Sequence, residues 1–370
     1  MTFQTSDAAA PSAIAPQPGI LEIEPYVGGE SGAPGANRVI KLSSNENPLG
    51  CSPAAQAAFA ECAGQLAIYP DGAHVRLRET IARAQGLEAD RIVCGNGSDE
   101  LLALLAQGYA GPGDEVVHCA HGFALYRINA LANGATPVCA PERDLTTDVD
   151  AVLEACTERT RLVFIANPNN PTGTLVGREA LERLADALPE RTLLVLDGAY
   201  AEYVRDAGYD AGAEIARERE NVVMTRTFSK IHGLAALRLG WMYAPRHVVD
   251  ALGRFRAPFN VNAPALAAGE AAMRDQEYVE RCATLNEAWR DWLVKRLAEN
   301  GISCTPSHGN FILAEFGEGR AGAADAFLKA RGLIGRKTAS YGLPGHLRLT
   351  VGDETACRAV AEAVNAFTSQ

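Results

Sequence analysis

The sequence predicts an α/β fold: a large domain with a mainly parallel seven-stranded sheet between helices, then a smaller α+β domain. Three observations carry that prediction. Short apolar runs rich in β-branched residues alternate with helical patterns. The runs are continuously apolar rather than alternating, as expected of strands with helices on both faces. At 370 residues the chain is too long for one ordinary core and fits two.

The strand-like runs, in order, are RIVCG (91–95), EVVHC (115–119), TPVCA (136–140), RLVFIAN (161–167), TLLVLD (192–197), NVVMTR (221–226) and RLGWMYA (238–244). Between them lie helical patterns such as DELLALLAQGYA (99–110) and REALERLADAL (178–188). After about residue 262 the pattern changes: 263–300 favours one or two long helices. FILAEF (311–316), a helix at 323–331, LRLTV (347–351) and a last helix near 353–367 complete the smaller unit. The expected organisation is a loose Ala/Pro/Ser-biased tail (1–18), a segment joining the small domain (19–45), the large domain (46–262), and a connecting helix with the small C-terminal domain (263–370).

Hydrophobic residues at 47% and charged residues at 21% exclude a collagenous, coiled-coil or wholly disordered chain. A net charge of −11 argues against general nucleic-acid binding, which needs a basic face. Anionic ligands must then be held by a few placed cations and backbone dipoles. Nine cysteines stand singly with no CxxC pair, which predicts reduced thiols and a cytoplasmic protein rather than a zinc ribbon. Cys94, Cys119 and Cys139 lie in apolar runs and are expected to be small core residues. The start of the chain lacks the basic and apolar segments of a signal peptide, and no apolar run approaches a membrane span.

Four polar motifs stand at the ends of predicted strands, where ligands gather in such sheets. GNGSDE (95–100) opens a helix, so the N–H groups of Gly97, Ser98 and Asp99 can cradle a phosphate, with the Ser98 hydroxyl as a further donor; plain helix capping is the competing explanation. ANPNNPTG (166–173) is a stiff loop that offers amides or merely turns. DGAYAEY (197–203) places an acid at the mouth of a buried strand, where it needs a cation or serves as an N-cap. In TRTFSKIHGLAALRLGW (225–241), Ser229 and Lys230 follow a strand and Arg238 opens the next run. A lysine near another cation in a pocket is easily deprotonated and nucleophilic, whereas an isolated Ser-Lys is ordinary surface. Together the motifs supply a phosphate cup, an amide, a buried acid with a tyrosine, and a lysine with hydroxyl and guanidinium partners. That set suits pyridoxal 5′-phosphate, which needs a Schiff-base lysine, an acid on its pyridinium nitrogen, donors on its ring oxygen and a phosphate site.

At this point the sequence resembles the fold-type I, class I/II pyridoxal-phosphate aminotransferases, specifically the histidinol-phosphate aminotransferase family. The resemblance spans roughly residues 19–368 and rests on LSSNENPLG (42–50), YPDG (69–72), GNGSDE, NPNNPTG, DGAYAEY, FSK with Arg238, and LRLTVGDE (347–354), all in the family's order. It implies that Lys230 holds the cofactor and shuttles a proton, that Asp197 pairs with the pyridinium nitrogen, and that Asn170 and Tyr200 donate to the ring oxygen. It implies a phosphate site from Gly97, Ser98, Asp99, Ser229 and Arg238, with Phe123 stacked on the ring, though His121-Gly122 replace the family's usual Pro-Thr before it. Tyr69 resembles the tyrosine that reaches a neighbouring subunit's cofactor phosphate, which implies a homodimer with shared sites.

For substrate, the resemblance gives Arg348 the carboxylate and makes Arg336 a candidate for a second anion, with Lys337 the competing residue. Tyr26 is expected to close over substrate, without the arginine-containing sequence that often follows it, and Asn45 and Asn47 to shape the substrate floor. The implied reaction is ping-pong: L-histidinol phosphate and 2-oxoglutarate give imidazole-acetol phosphate and L-glutamate. An aromatic amino-acid aminotransferase and a threonine-phosphate decarboxylase share the framework. A nicotinamide oxidoreductase is disfavoured by the incomplete glycine fingerprint, and a DNA-binding regulator by the lack of a spare basic segment. No metal is implied.

Overall fold

The computed structural model describes residues 14–32 and 38–370. Residues 1–13, most of the expected tail, lie outside the described residues.

The seven runs form one sheet: β1 (Ile92–Gly95), β2 (Glu115–Cys119), β3 (Thr136–Ala140), β4 (Thr160–Ala166), β5 (Leu193–Asp197), β6 (Val222–Thr227) and β7 (Gly240–Tyr243). Their order is β1-β7-β6-β5-β4-β2-β3. All neighbours pair parallel except β7, which is antiparallel to both β1 and β6. That reversal decides the site: the start of β7 lies at the edge where the other six strands end. Arg238, two residues before β7, therefore joins the loops that follow β1, β5 and β6.

Successive residues of each strand enter opposite cores, as the two-residue period of a strand requires. Val163 and Ile165 pack in one cluster, and Leu162 and Phe164 in the other. Helices α1 (Ser98–Tyr109) and α2 (Ala124–Ala132) supply Leu101, Leu105 and Tyr126 to the second cluster, while α3 (Arg178–Ala187) and α4 (Ala263–Arg274) supply Leu181 and Ala268 to the first. The expectation that every run is buried fails at β3. It is an edge strand, Thr136 and Cys139 are exposed, and Cys139 is not a core residue. An apolar run does not reveal whether a strand lies at the centre or the edge. Cys119, on the interior strand β2, is buried as expected, and so is Cys94 on β1, the opposite edge strand, all of whose residues are buried.

The second unit packs α5 (Gln276–Glu299), α6 (Ala321–Lys329) and α7 (Glu354–Thr368) with an antiparallel sheet of β8 (Ser303–Cys304), β9 (Phe311–Glu315), β10 (Arg336–Lys337) and β11 (His346–Thr350), in the order β8-β9-β11-β10. Residues Ile40–Lys41 pair in parallel with Leu333–Ile334, and Leu42 joins this unit's core. Tyr200, Ile231 and Phe311 form a separate cluster between the two sheets.

Candidate active site

A cavity of about 300 Å³ opens at the carboxyl ends of β4, β5 and β6. Lys230, Asp197, Asn170 and Tyr200 all line it, each from a loop or strand end that the topology delivers there.

Asp197 closes β5 and is buried. Tyr126 Oη donates to its Oδ2 at 2.8 Å and Thr225 Oγ1 to its Oδ1 at 3.0 Å. Among the described residues no cation forms an ion pair with it. Burial pushes its carboxyl up to about 6, against the pull of the two hydroxyl donors. Neither Tyr126 nor Thr225 was anticipated. Each had a faint signal: Tyr126 follows Phe123 by nearly one helical turn, and Thr225 is a polar residue in an apolar run, level with Asp197 across the β5–β6 ladder.

Lys230 follows β6, and its Nζ donates to Ser44 O at 3.0 Å. Burial first, and then the Arg348 guanidinium, lower its pKa to about 8, with Glu46 and Asp99 opposing.

Arg238 adopts a left-handed φ of 51° and fans its guanidinium between Ser229 Oγ at 3.1 Å and the Asp99 carboxylate at 3.0 Å. Ser98 opens α1 beside it. Close approach here depends on glycine: a Cβ on Gly240 would lie 2.3 Å from Ser98 N, and one on Gly97 2.7 Å from Arg238 Nη2. Two details of the predicted cup change. The Gly97 N–H is turned back onto Gly95 O at 2.9 Å, so it is already occupied; Ser98 and Asp99 carry the outward N–H groups of the first turn. Asp99 also brings its own carboxylate to Arg238.

Arg348, on β11, is buried. One Nη donates to Ser43 O at 2.6 Å, the other to Asn170 Oδ1, and Nε is buried with no protein partner. With Oδ1 occupied, Asn170 is left with its Nδ2 donor. Asn45 Nδ2 donates to Tyr200 Oη at 2.9 Å. Phe123 caps α2 and lines the cavity, its ring edge-on to Tyr126 at 5.9 Å and to Tyr26 at 6.5 Å. Tyr26 lines the mouth, and burial is the main cause that raises its phenol pKa.

Four expected residues lie elsewhere. Asn47 is a correction: its Nδ2 is used by Ile231 O at 2.7 Å and its Oδ1 by the Leu49 N–H, so it braces the loop instead of lining the cavity. Arg336 stands outside the cavity wall, donating to Val27 O at 2.8 Å beneath the Tyr26 ring. Lys337 is exposed, 4.0 Å from Glu30. Tyr69 is 80% exposed, stacked on Phe259 at 4.8 Å, and does not line this cavity.

The donor set fits pyridoxal 5′-phosphate. A buried acid without a cation, a half-buried lysine of lowered pKa, and an arginine–serine–helix-terminus cluster surround one space of suitable size. Among the described residues no His/Cys/Asp/Glu cluster could hold a metal ion, and no helix is long and apolar enough to cross a membrane.

The family "Aminotransferase class I and II" matches residues 37–364. The chain is 60% identical over 358 residues to the histidinol-phosphate aminotransferase of Dinoroseobacter shibae, spanning 96% of this chain and 99% of that one. It is 53% identical to the protein of that name from Maricaulis maris, with 96% and 99% covered. The solved histidinol-phosphate aminotransferase of Sinorhizobium meliloti in complex with pyridoxal-5′-phosphate is similar at a TM-score of 0.88 and 27% identity, covering 98% of this chain and 99% of that chain. An aspartate aminotransferase of Thermotoga maritima, at 19% identity and a TM-score of 0.82 over 90% and 92% of the two chains, shares the fold.

Proposed function

This chain belongs to the class I and II aminotransferase family, and on that premise we propose that it is a pyridoxal-phosphate-dependent histidinol-phosphate transaminase of histidine biosynthesis. It exchanges the amino group of L-histidinol phosphate with 2-oxoglutarate, giving imidazole-acetol phosphate and L-glutamate. The observation that carries the reading is the buried, cation-free Asp197 facing the same cavity as Lys230. Neither an aromatic amino-acid aminotransferase nor a threonine-phosphate decarboxylase is named among the relatives above.

When bound, the cofactor supplies an electron sink for the charge that develops at substrate Cα. The residues of the chain do the rest. Asp197 would hold a proton on the pyridinium nitrogen by charge pairing, and Tyr126 and Thr225 hold Asp197. Asn170 and Tyr200 would donate to the ring oxygen. Arg238, Ser229, Ser98 and the Asp99 N–H would hold the phosphate, with Phe123 as the aromatic wall for the ring. Lys230 Nζ would hold the cofactor and, once the substrate amine has displaced it, would be the free base that moves the Cα proton. Its pKa of about 8 keeps part of it neutral near neutral pH. Arg348 receives the substrate anion, and its position in the cavity wall supports that role. Tyr26 closes the mouth, and Arg336 beneath it is the candidate for a second anion.

A homodimer belongs to the same reading. Tyr69 and its neighbours Leu66 and Ile68 are 69–80% exposed, an apolar patch that supports a partner there. In the dimer Tyr69 reaches the other subunit's phosphate. A cytoplasmic location suits the unpaired thiols.

The test is a half-reaction. Yellow holoenzyme mixed with L-histidinol phosphate should bleach to the pyridoxamine form, with kcat/KM on the order of 10² or more above that for phenylalanine. No spectral change with histidinol phosphate would overturn the reading.

A further inference from the structure

We infer that Asn45 is a positioning residue for Tyr200. It occupies the acceptor side of the tyrosine hydroxyl, so that the single phenolic proton is directed at the cofactor's ring oxygen, and Thr350 holds Asn45 in register. The inference rests on the function proposed above.

The geometry is closed on every side. Asn45 is 1% exposed and Tyr200 4%. Asn45 Nδ2 donates to Tyr200 Oη at 2.9 Å. The Asn45 N–H donates to Thr350 Oγ1 at 3.0 Å, and the Thr350 hydroxyl hydrogen has Leu42 O at 2.8 Å and Asn45 Oδ1 at 3.1 Å as acceptors. Asn45 O accepts from Asn310 Nδ2 at 3.0 Å. The backbone φ of Asn45 is 57°, in the left-handed region that asparagine tolerates and that turns its amide toward Tyr200.

A phenol has one proton to give. With Asn45 donating to it, Tyr200 Oη keeps that proton for the cavity. The anchor is also informative. Thr350 lies two residues beyond Arg348 on β11, on the same face of the strand. Arg348 grips Asn170, and Thr350, through Asn45, grips Tyr200. One strand of the second unit thus aligns both donors assigned to the ring oxygen.

A donor on that oxygen would stabilise its negative charge and so lower the proton affinity of the neighbouring nitrogen through which Lys230 would be attached. The pH midpoint of the holoenzyme's visible band reads this directly. Asn45→Asp keeps shape and tolerates the left-handed φ, but its carboxylate only accepts, so the Tyr200 proton turns away from the cofactor. The midpoint should rise by about one pH unit. Asn45→Gly and Thr350→Val should shift it the same way by less, and Thr350→Ser should restore it. In a Tyr200→Phe background, Asn45→Gly should add nothing. An unchanged midpoint in N45D, or an equal shift by N45G with and without the Tyr200 hydroxyl, would overturn the assignment. Should N45D not fold, the Thr350 pair carries the same test. A wild-type protein with no visible band would instead count against the functional reading itself.

Discussion

Tyr126 Oη and Asp197 Oδ2 lie 2.8 Å apart, both shut away from solvent. Burial and the adjacent carboxylate push the Tyr126 phenol well above its ordinary range, so it acts as a donor throughout the working pH range. It holds down a carboxyl that burial has already pushed up to about 6. Removing the hydroxyl by Tyr126→Phe should let that carboxyl rise by about one further unit, the usual weight of a hydrogen bond to a charged group. On the function proposed above, cofactor affinity should fall as Asp197 takes up a proton, because a neutral acid would offer the pyridinium no charge. Pyridoxal-phosphate binding measured against pH should therefore lose its hold about one unit higher in the variant. Superimposable profiles would refute the role.

Asp197 also makes the apoprotein pay for its function in stability. Its folded pKa is raised above the unfolded value of 3.8, so the stabilising protonated form is fully present below that value and is lost as pH rises through about 6. At pH 7.5 the apoprotein buries a charge with no cation. Asp197→Asn removes the charge, and the hydroxyls of Tyr126 and Thr225 can rotate to suit an amide. Denaturant melts of cofactor-free protein should show the variant more stable by roughly 2–3 kcal/mol at pH 7.5, with the gap closing toward pH 4. With cofactor present the order should reverse. A less stable apo variant at pH 7.5 would contradict this.

Lys230 titrates in the opposite sense. Its pKa is lowered to about 8, and only the neutral amine attacks an aldehyde. The rate at which apoprotein captures pyridoxal phosphate should rise about tenfold per pH unit below 8 and then level off. A lysine of ordinary pKa would keep accelerating past pH 10. Lys230→Ala should show no visible band and almost no turnover, and full activity in that variant would end the proposal.

Which parts of this site could be read from the sequence follows from locality. Asp197, Lys230 and Asn170 each stand at the end of an apolar run, so the run predicts the strand and the strand predicts the mouth. Arg348 lies within a strand and was identified only by resemblance. Tyr126, Thr225 and Thr350 depend on ladder register or on one helix facing one strand, and nothing local specifies either. Asn45 and Asn47 look alike in SNENP. The left-handed turn at Asn45 sends one to Tyr200 and the other to Ile231.

On the function proposed above, Arg348 would serve both halves of the cycle, since each substrate would bring an anion to it. Its two Nη groups hold Ser43 O and Asn170 from one planar fork, a geometry a single ammonium cannot reproduce. Arg348→Lys should cut kcat/KM for histidinol phosphate and for 2-oxoglutarate alike, by roughly 10²-fold. Arg336→Ala, outside the cavity wall, should affect the two substrates unequally. An R348K enzyme impaired toward only one of them would place the other anion elsewhere.

The proposed homodimer with shared sites is open to a complementation test. If Tyr69 completes the partner's phosphate site, Lys230→Ala chains have a sound tyrosine and Tyr69→Ala chains a sound lysine. Each homodimer alone is defective. A heterodimer holds one site built from the intact lysine of one chain and the intact tyrosine of the other. Equal parts, unfolded together and refolded with cofactor, should yield half heterodimers, each with one native site, and hence about a quarter of wild-type turnover. The exposed position of Tyr69, stacked on Phe259 and outside the lining of its own chain's Lys230 cavity, is what such complementation requires. Activity no higher than the mean of the two parents would show that each chain completes its own site.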